Sequence, residues 1–253
     1  MTALTGGLDG VRRLIPETEL DVIPDLPENA EYWMPGDDDI DDEGIGFFRG
    51  VWAILDVPRH VASAVVADEQ AAAKALDALS PDEETFDRLA RVLEEHNPDF
   101  PSEDPEDVPV LELLAQHMDL SSFSLEGLEV GVSGLSHVLG SIGCVPAASC
   151  RGHVGEHAWS DHPSVFVAID RPHAEWLRPL VQRTSCGFAI DPWRENLLVI
   201  YARSIRQTME LAALILEEAQ NLPPALAIRP RGSDSNREPE VIPEVDGQLS
   251  LFD

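Results

Sequence analysis

The sequence predicts an α+β fold in which a mostly antiparallel four-stranded sheet carries helices on one face as a two-layer sandwich, preceded by a helical segment and flanked by disordered tails. Three observations predict it: alternating helical and extended patterns between Val110 and Asn221, an alanine-rich stretch of helical spacing before them, and proline-rich polar ends. A hydrophobic share of 43% over 253 residues is enough to build a packed core.

Residues 1–44 hold Pro16, Pro24, Pro27 and Pro35, show little periodicity, and run into Asp37-Asp38-Asp39-Ile40-Asp41-Asp42-Glu43. So little apolar surface is not expected to offset chain entropy, so the segment reads as mostly disordered, with Tyr32 and Trp33 docking locally. The acidic run lacks the spacing and terminal glutamate of a calcium loop and reads as a solvated linker.

Residues 45–107 form the helical segment and an acidic linker. Phe47, Phe48, Val51, Trp52 and Leu55 fall at helical spacing, Pro58 restarts the chain, and Ala62 to Leu79 is rich in alanine, the best helix former. Ser80-Pro81-Asp82-Glu83 reads as a helix start, with Ser80 as cap, Pro81 in the first turn and Glu83 three residues after the cap. Phe86, Leu89, Ala90 and Leu93 supply the apolar stripe that follows, and Asn97 to Pro109 reads as a linker or long loop.

Residues 108–221 form the α+β domain. A short helix is expected near Val110 to Met118. Leu125, Leu128, Val132, Leu135, Leu139 and Ile142 then predict one amphipathic helix, loosened by glycines. Extended runs at Cys144 to Ser149 and Ser164 to Ile169 precede a helix opening at Pro172. Two more strands, Cys186 to Ile190 and Leu197 to Ala202, flank a turn at Asp191 to Asn196, and a helix from Ile205 to Gln220 closes the unit. Trp176 and Trp193 are expected in the core or at a corner, and Arg194, Arg203 and Arg206 at the surface. Residues 222–253, with five prolines, are expected to form a flexible tether.

Charge narrows the functional classes. Lys and Arg total 17 against 47 Asp and Glu, a net charge of −30. Nonspecific duplex binding depends on cations displacing counterions from phosphates, so it is not expected of this chain. The acidic excess is concentrated in residues 1–107, whereas residues 143–210 are balanced. The N-terminus does not read as a secretory signal, and no apolar run approaches the roughly 20 residues that cross a bilayer. Three cysteines make no disulfide framework. A cytoplasmic protein without membrane association is the expectation.

Two constellations carry chemistry. The first is Gln248-Leu249-Ser250-Leu251-Phe252, which resembles the pentapeptide (Gln, Leu, Ser or Asp, Leu, Phe) by which bacterial polymerases and mismatch-repair factors dock on the DNA sliding clamp. A chance match in a chain this long is on the order of one in a thousand. The resemblance implies a partner, the sliding clamp (β subunit), with Leu251 and Phe252 filling an apolar pocket, Leu249 beside it and the Gln248 amide fixing register. A tether of about 25 residues would let the domain work at DNA while the peptide stays docked. It implies an accessory factor in bacterial DNA replication or repair. The other classes are an enzyme on nucleic acid or nucleotides, for which the peptide is an address, and an acidic protein that regulates or inhibits a DNA-binding factor.

The second constellation is Cys144, Cys150, His153, His157 and His162. Its core, Ser149-Cys150-Arg151-Gly152-His153, distantly resembles the Ser-Cys-Ser-Gly-Arg motif of the wybutosine-synthesis tRNA methyltransferase family and small proteins with Ser-Cys-X-Gly-His. Where that family has Arg this chain has His153, and no activity is carried over. Strand alternation would point Cys144 and Cys150 the same way, with His153 and His157 alongside, a donor set that suits tetrahedral zinc. The alternatives are cysteines buried as small apolar residues, and Cys150 as a nucleophile with His153 or His157 as base and Arg151 binding an anion.

Overall fold

A computed structural model describes residues 17–46, 48–51, 53–97, 104–153, 160–194, 196–223 and Leu226. Its centre is a four-stranded, wholly antiparallel sheet of β4 (Val145–Cys150), β5 (Ser164–Ala168), β6 (Gly187–Ile190) and β7 (Leu198–Tyr201) in the order β4-β5-β7-β6. The sheet lies behind α4 (Ser133–Ser141), α5 (Arg171–Arg183) and α6 (Ile205–Glu218), so the predicted order α-β-β-α-β-β-α holds element by element.

Period-two alternation explains the layering. Val165, Val167, Leu198 and Ile200 face Leu135, Leu139, Leu177, Leu211 and Ile215 on the helices. Phe166, Ala168, Val199 and Tyr201 face the other way. That second face is not bare. Leu20, Val22, Trp33, Met34, Ile40, Ile45 and Phe48 cover it, together with a small sheet of β1 (Ile40–Asp41), β2 (Gly44–Ile45) and β3 (Phe48–Arg49).

Residues 17–44 therefore differ from the disorder expected of them. Their apolar side chains are few, but the sheet's second face supplies the surface they lack. The sheet also offers an unpaired edge, where Phe188 N–H donates to Ile23 O at 2.8 Å beside the edge strand β6, and just past β7 Thr18 N–H donates to Arg203 O at 2.8 Å. Residues 1–16 lie outside the described residues. The expected helix through Val51 and Leu55 is extended chain instead. Val51, Ala53 and Leu55 pack on the second face while Ile54 packs on the helical side, a period of two, and Ile54 N–H donates to Pro146 O at the other sheet edge. A left-handed Gly50 (φ 75°) breaks any helix there.

The alanine-rich run forms α1 (Arg59–Leu79), which buries Ala62 and Val66 against the α+β core, so the helical segment and the sheet domain share one interior. A second core joins α1 to α2 (Glu83–Glu94) and α3 (Val108–Leu114) through Leu76, Phe86, Leu93, Val110 and Leu114. The start of α2 lies two residues later than expected. Asp82 is the cap, accepting Thr85 N–H at 2.8 Å, whereas Ser80 Oγ bonds back to Leu76 O and closes α1.

The helix expected from Leu125 to Ile142 is halved. Glu126 (φ 54°) and Gly131 (φ 92°) are left-handed, so residues before Ser133 form turns and only α4 is helical. At Gly131 a Cβ would overlap Ile205 Cβ and Cγ2, where α6 begins. Gly131→Ala is expected to destabilise the fold by about 2–3 kcal/mol, combining overpacking with an unfavourable φ. Urea unfolding checks it, and a loss below about 0.5 kcal/mol would contradict this packing.

Trp176 packs partly buried on the core, whereas Trp193 stands 90% exposed at the β6–β7 corner. Arg194 pairs with Asp191, and Arg203 Nε donates to Leu20 O. No helix among the described residues is long and apolar enough to cross a membrane.

Candidate functional site

Strand β4 ends at Cys150, and the chain turns sharply through Arg151 and Gly152 to His153. Gly152 is left-handed (φ 86°), and a Cβ there would stand 2.8 Å from the His162 backbone, so the turn demands glycine. Two bonds fix it: His153 N–H donates to Ser160 O at 3.0 Å, and Gly152 N–H donates to Cys150 Sγ at 3.4 Å.

Acidic groups from distant segments converge on this turn. Glu129, in the turns before α4, accepts Arg151 N–H at 2.6 Å through Oε2 and lies 2.8 Å from His153 Nε2 through Oε1. Asp87 and Glu94, one helical heptad apart on α2, meet the Arg151 guanidinium. Nε and Nη2 fork onto the two Glu94 oxygens at 2.9 and 3.2 Å, and Nη1 donates to Asp87 Oδ1 at 2.8 Å. Glu94 Oε1 also accepts Val130 N–H at 2.9 Å. Asp87 Oδ1 lies 3.5 Å from His153 Nδ1. Arg151 is 5% exposed, so its role is internal, tying α2 to the sheet, and the free anion-binding arginine expected there is not what the turn presents.

Burial pushes the Glu94 carboxyl up despite the opposing pull of Arg151. Around Asp87 burial works upward too, but Arg151 and His153 together hold its carboxyl below the ordinary value. The Cys150 thiol is pushed up to about 11 by burial, with the Gly152 N–H opposing and the Glu129 charge adding. A thiolate is the nucleophile in cysteine catalysis, and this thiol stays protonated at neutral pH. Both ring nitrogens of His153 face carboxylates. Cys150 and His153 are not arranged as nucleophile and base.

The structure joins two of the expected metal ligands and separates a third. Sγ of Cys150, a nitrogen of His153 and an oxygen of Glu129 all lie within 4.8 Å of one another. Cys144 packs on the helical side of the sheet. Cys150 pairs with Ser164, which shares a face with Phe166 on the opposite side. An irregularity between Pro146 and Ala148 shifts the register and reverses the alternation that would have aligned the two cysteines. Cys144 and Cys150 are buried free thiols, as the apolar reading of these two expects, and so is Cys186; burial drives the Cys144 and Cys186 pKa values upward, that of Cys186 to about 12. His157 lies outside the described residues. His162 turns away, bonding Asp161 at 2.6 Å and stacking edge-on against Tyr201.

Sequence reasoning missed Glu129, Asp87 and Glu94. A signal existed for the last two, which share the flank of the Phe86, Leu89, Leu93 stripe at heptad spacing. The expected clamp-docking residues Gln248, Leu249, Ser250, Leu251 and Phe252 lie outside the described residues. No protein-family model matches this chain, and no curated protein or solved structure is similar to it at the level of a match.

Proposed function

We propose that this protein is a sliding-clamp-associated factor of bacterial DNA replication or repair, cytoplasmic and recruited through Gln248-Leu249-Ser250-Leu251-Phe252. The observation that carries the reading is the pentapeptide itself, which satisfies each position of the docking consensus. Leu251 and Phe252 are the anchors, because large apolar side chains in a pocket supply most of such a peptide's binding energy. The net charge of −30 supports the same reading from the other direction. A body this acidic is repelled by the phosphate backbone, so contact with a protein already on DNA is its natural route there.

Calorimetric titration of purified sliding clamp tests the proposal. The full chain is expected to bind with a stoichiometry of one peptide per clamp site, and Leu251→Ala with Phe252→Ala to weaken binding by at least about tenfold. Equal affinity of the two proteins would refute recruitment.

The grouping of Glu129, Cys150 and His153 favours a second reading, in which the clamp peptide is the address of an enzyme acting on nucleic acid or nucleotides. Loss of a cellular phenotype on Cys150→Ala, with clamp binding intact, would support it. A phenotype lost only on deleting Gln248 to Phe252 supports the accessory factor.

A further inference from the structure

We propose that Glu129, Cys150 and His153 form a three-ligand site for one divalent transition-metal ion of the zinc class, with a fourth coordination position left open. The inference is independent of clamp recruitment.

The donor set is the first argument. A thiol, an imidazole and a carboxylate converge, and with the thiol deprotonated by the metal they make a mixture of soft and borderline donors that selects zinc-like ions over magnesium or calcium. Their donor atoms lie within 4.8 Å of one another. A tetrahedral zinc needs ligand atoms about 3.3–3.7 Å apart, given bonds of roughly 2.0–2.3 Å, so the widest separation must close by about 1 Å while His153 Nε2 and Glu129 Oε1, 2.8 Å apart, must open by about 0.5 Å.

Preorganisation is the second argument. Each ligand is held by a backbone bond that metal binding need not break. Arg151 N–H holds Glu129 Oε2 at 2.6 Å, His153 N–H is tied to Ser160 O at 3.0 Å, and Gly152 N–H reaches Cys150 Sγ at 3.4 Å. Asp87 Oδ1, 3.5 Å from His153 Nδ1, stands where a carboxylate orients an imidazole that ligates through Nε2. Asp87 and Glu94 meet the Arg151 guanidinium while Glu129 faces His153, so three carboxylates surround the turn against one guanidinium charge, and the local charge favours a cation. Glu129 and His153 are each about a third exposed, which gives an ion an entry path.

Binding is a proton exchange. The metal takes the Cys150 sulfur in place of its proton, which passes to solvent. It also replaces the hydrogen bond between His153 Nε2 and Glu129 Oε1 by two metal bonds, and the proton of that bond is displaced, to solvent from a charged ring or to Nδ1 beside Asp87 from a neutral one. Metal binding thus exchanges a hydrogen-bonded arrangement for a coordination centre.

Cobalt(II) titration of the chelator-treated full chain tests this, because a thiolate–cobalt bond gives a near-ultraviolet charge-transfer absorption that carboxylates scattered over an acidic surface do not. One equivalent of cobalt is expected to produce the band, and zinc to bleach it. Cys150→Ser should abolish the band, His153→Gln and Glu129→Gln should each weaken cobalt binding by at least about tenfold, and Cys144→Ser should leave both unchanged. Deleting Gln248 to Phe252 should not alter the titration, which separates this site from clamp docking. No band at saturating cobalt, or an unaltered band in Cys150→Ser, would overturn the site. If Cys150→Ser fails to fold by circular dichroism, His153→Gln decides alone: an unchanged titration refutes the assignment.

Discussion

Arg151→Ala is expected to destabilise the protein by about 3–5 kcal/mol, because it leaves a buried carboxylate without its counter-ion. Glu94 is 11% exposed and receives a two-pronged bond from the guanidinium; without it, among the described residues, Val130 N–H is the donor that remains for that carboxylate. Asp87 contributes less, being 53% exposed and screened by water. The loss therefore falls chiefly on the Glu94 half of the network. Arg151→Lys should fall between, since an ammonium keeps the charge but cannot fork onto two oxygens. Truncating both partners, Arg151→Met with Glu94→Leu, should recover most of the stability, because the apolar pair no longer buries an orphan charge. Urea unfolding followed by circular dichroism gives the comparison. A loss below about 1 kcal/mol for Arg151→Ala would sink this account, as would an equal loss from Asp87→Ala.

Why that network escaped the sequence, while the sheet did not, follows from the range of the signals. Alternation and helical spacing are local, so Ser164–Ala168, Leu198–Tyr201 and Ile205–Glu218 were legible where they stand. Cys150 and His153 were legible together for the same reason, being three residues apart across one turn. Glu129 reaches that turn only because left-handed residues at Glu126 and Gly131 break the helix that its neighbours' spacing predicts. Likewise the pairing of Cys144 with Cys150 was a sound inference for an unbroken strand, and one shifted register at Pro146 reverses it. Composition alone points residues 17–44 toward disorder, because it counts apolar residues but not the surface waiting for them. Tyr201 illustrates the point: its hydroxyl is 3.0 Å from Ile23 N and 3.3 Å from Asp21 O, a partnership no window around Ile23 contains.

Stability is expected to fall as pH rises from about 4.5 to about 7, and Glu69 is the group responsible. It sits on α1, 0% exposed, and no apolar pattern betrays it. Oε1 accepts Gly131 N–H at 2.8 Å and Gly134 N–H at 3.1 Å, so it caps α4, whose own cap residue Val132 has no side-chain acceptor. Among the described residues Oε2 has no hydrogen-bond partner, and a Cβ on Gly134 would press against it. The positive end of α4 favours a carboxylate here, but burial outweighs it and pushes the carboxyl from 4.5 up to about 7.

The folded state thus keeps a proton that the unfolded chain releases at lower pH. By linkage the stabilisation is complete below the unfolded value and is lost as pH climbs through the folded one. A shift of this size corresponds to about 3 kcal/mol. The remaining carboxylates of so acidic a chain also repel one another as they ionise, so the slope of the wild-type protein alone does not isolate Glu69. The difference from Glu69→Gln does. Glutamine imitates the protonated acid at every pH, so the two proteins should be about equally stable near pH 4.5, and the variant should be the more stable by about 3 kcal/mol at pH 8. Chemical unfolding across that range measures the gap. If the gap stays constant with pH, Glu69 is ionised throughout, and the positive end of α4 has overcome the cost of burying its charge.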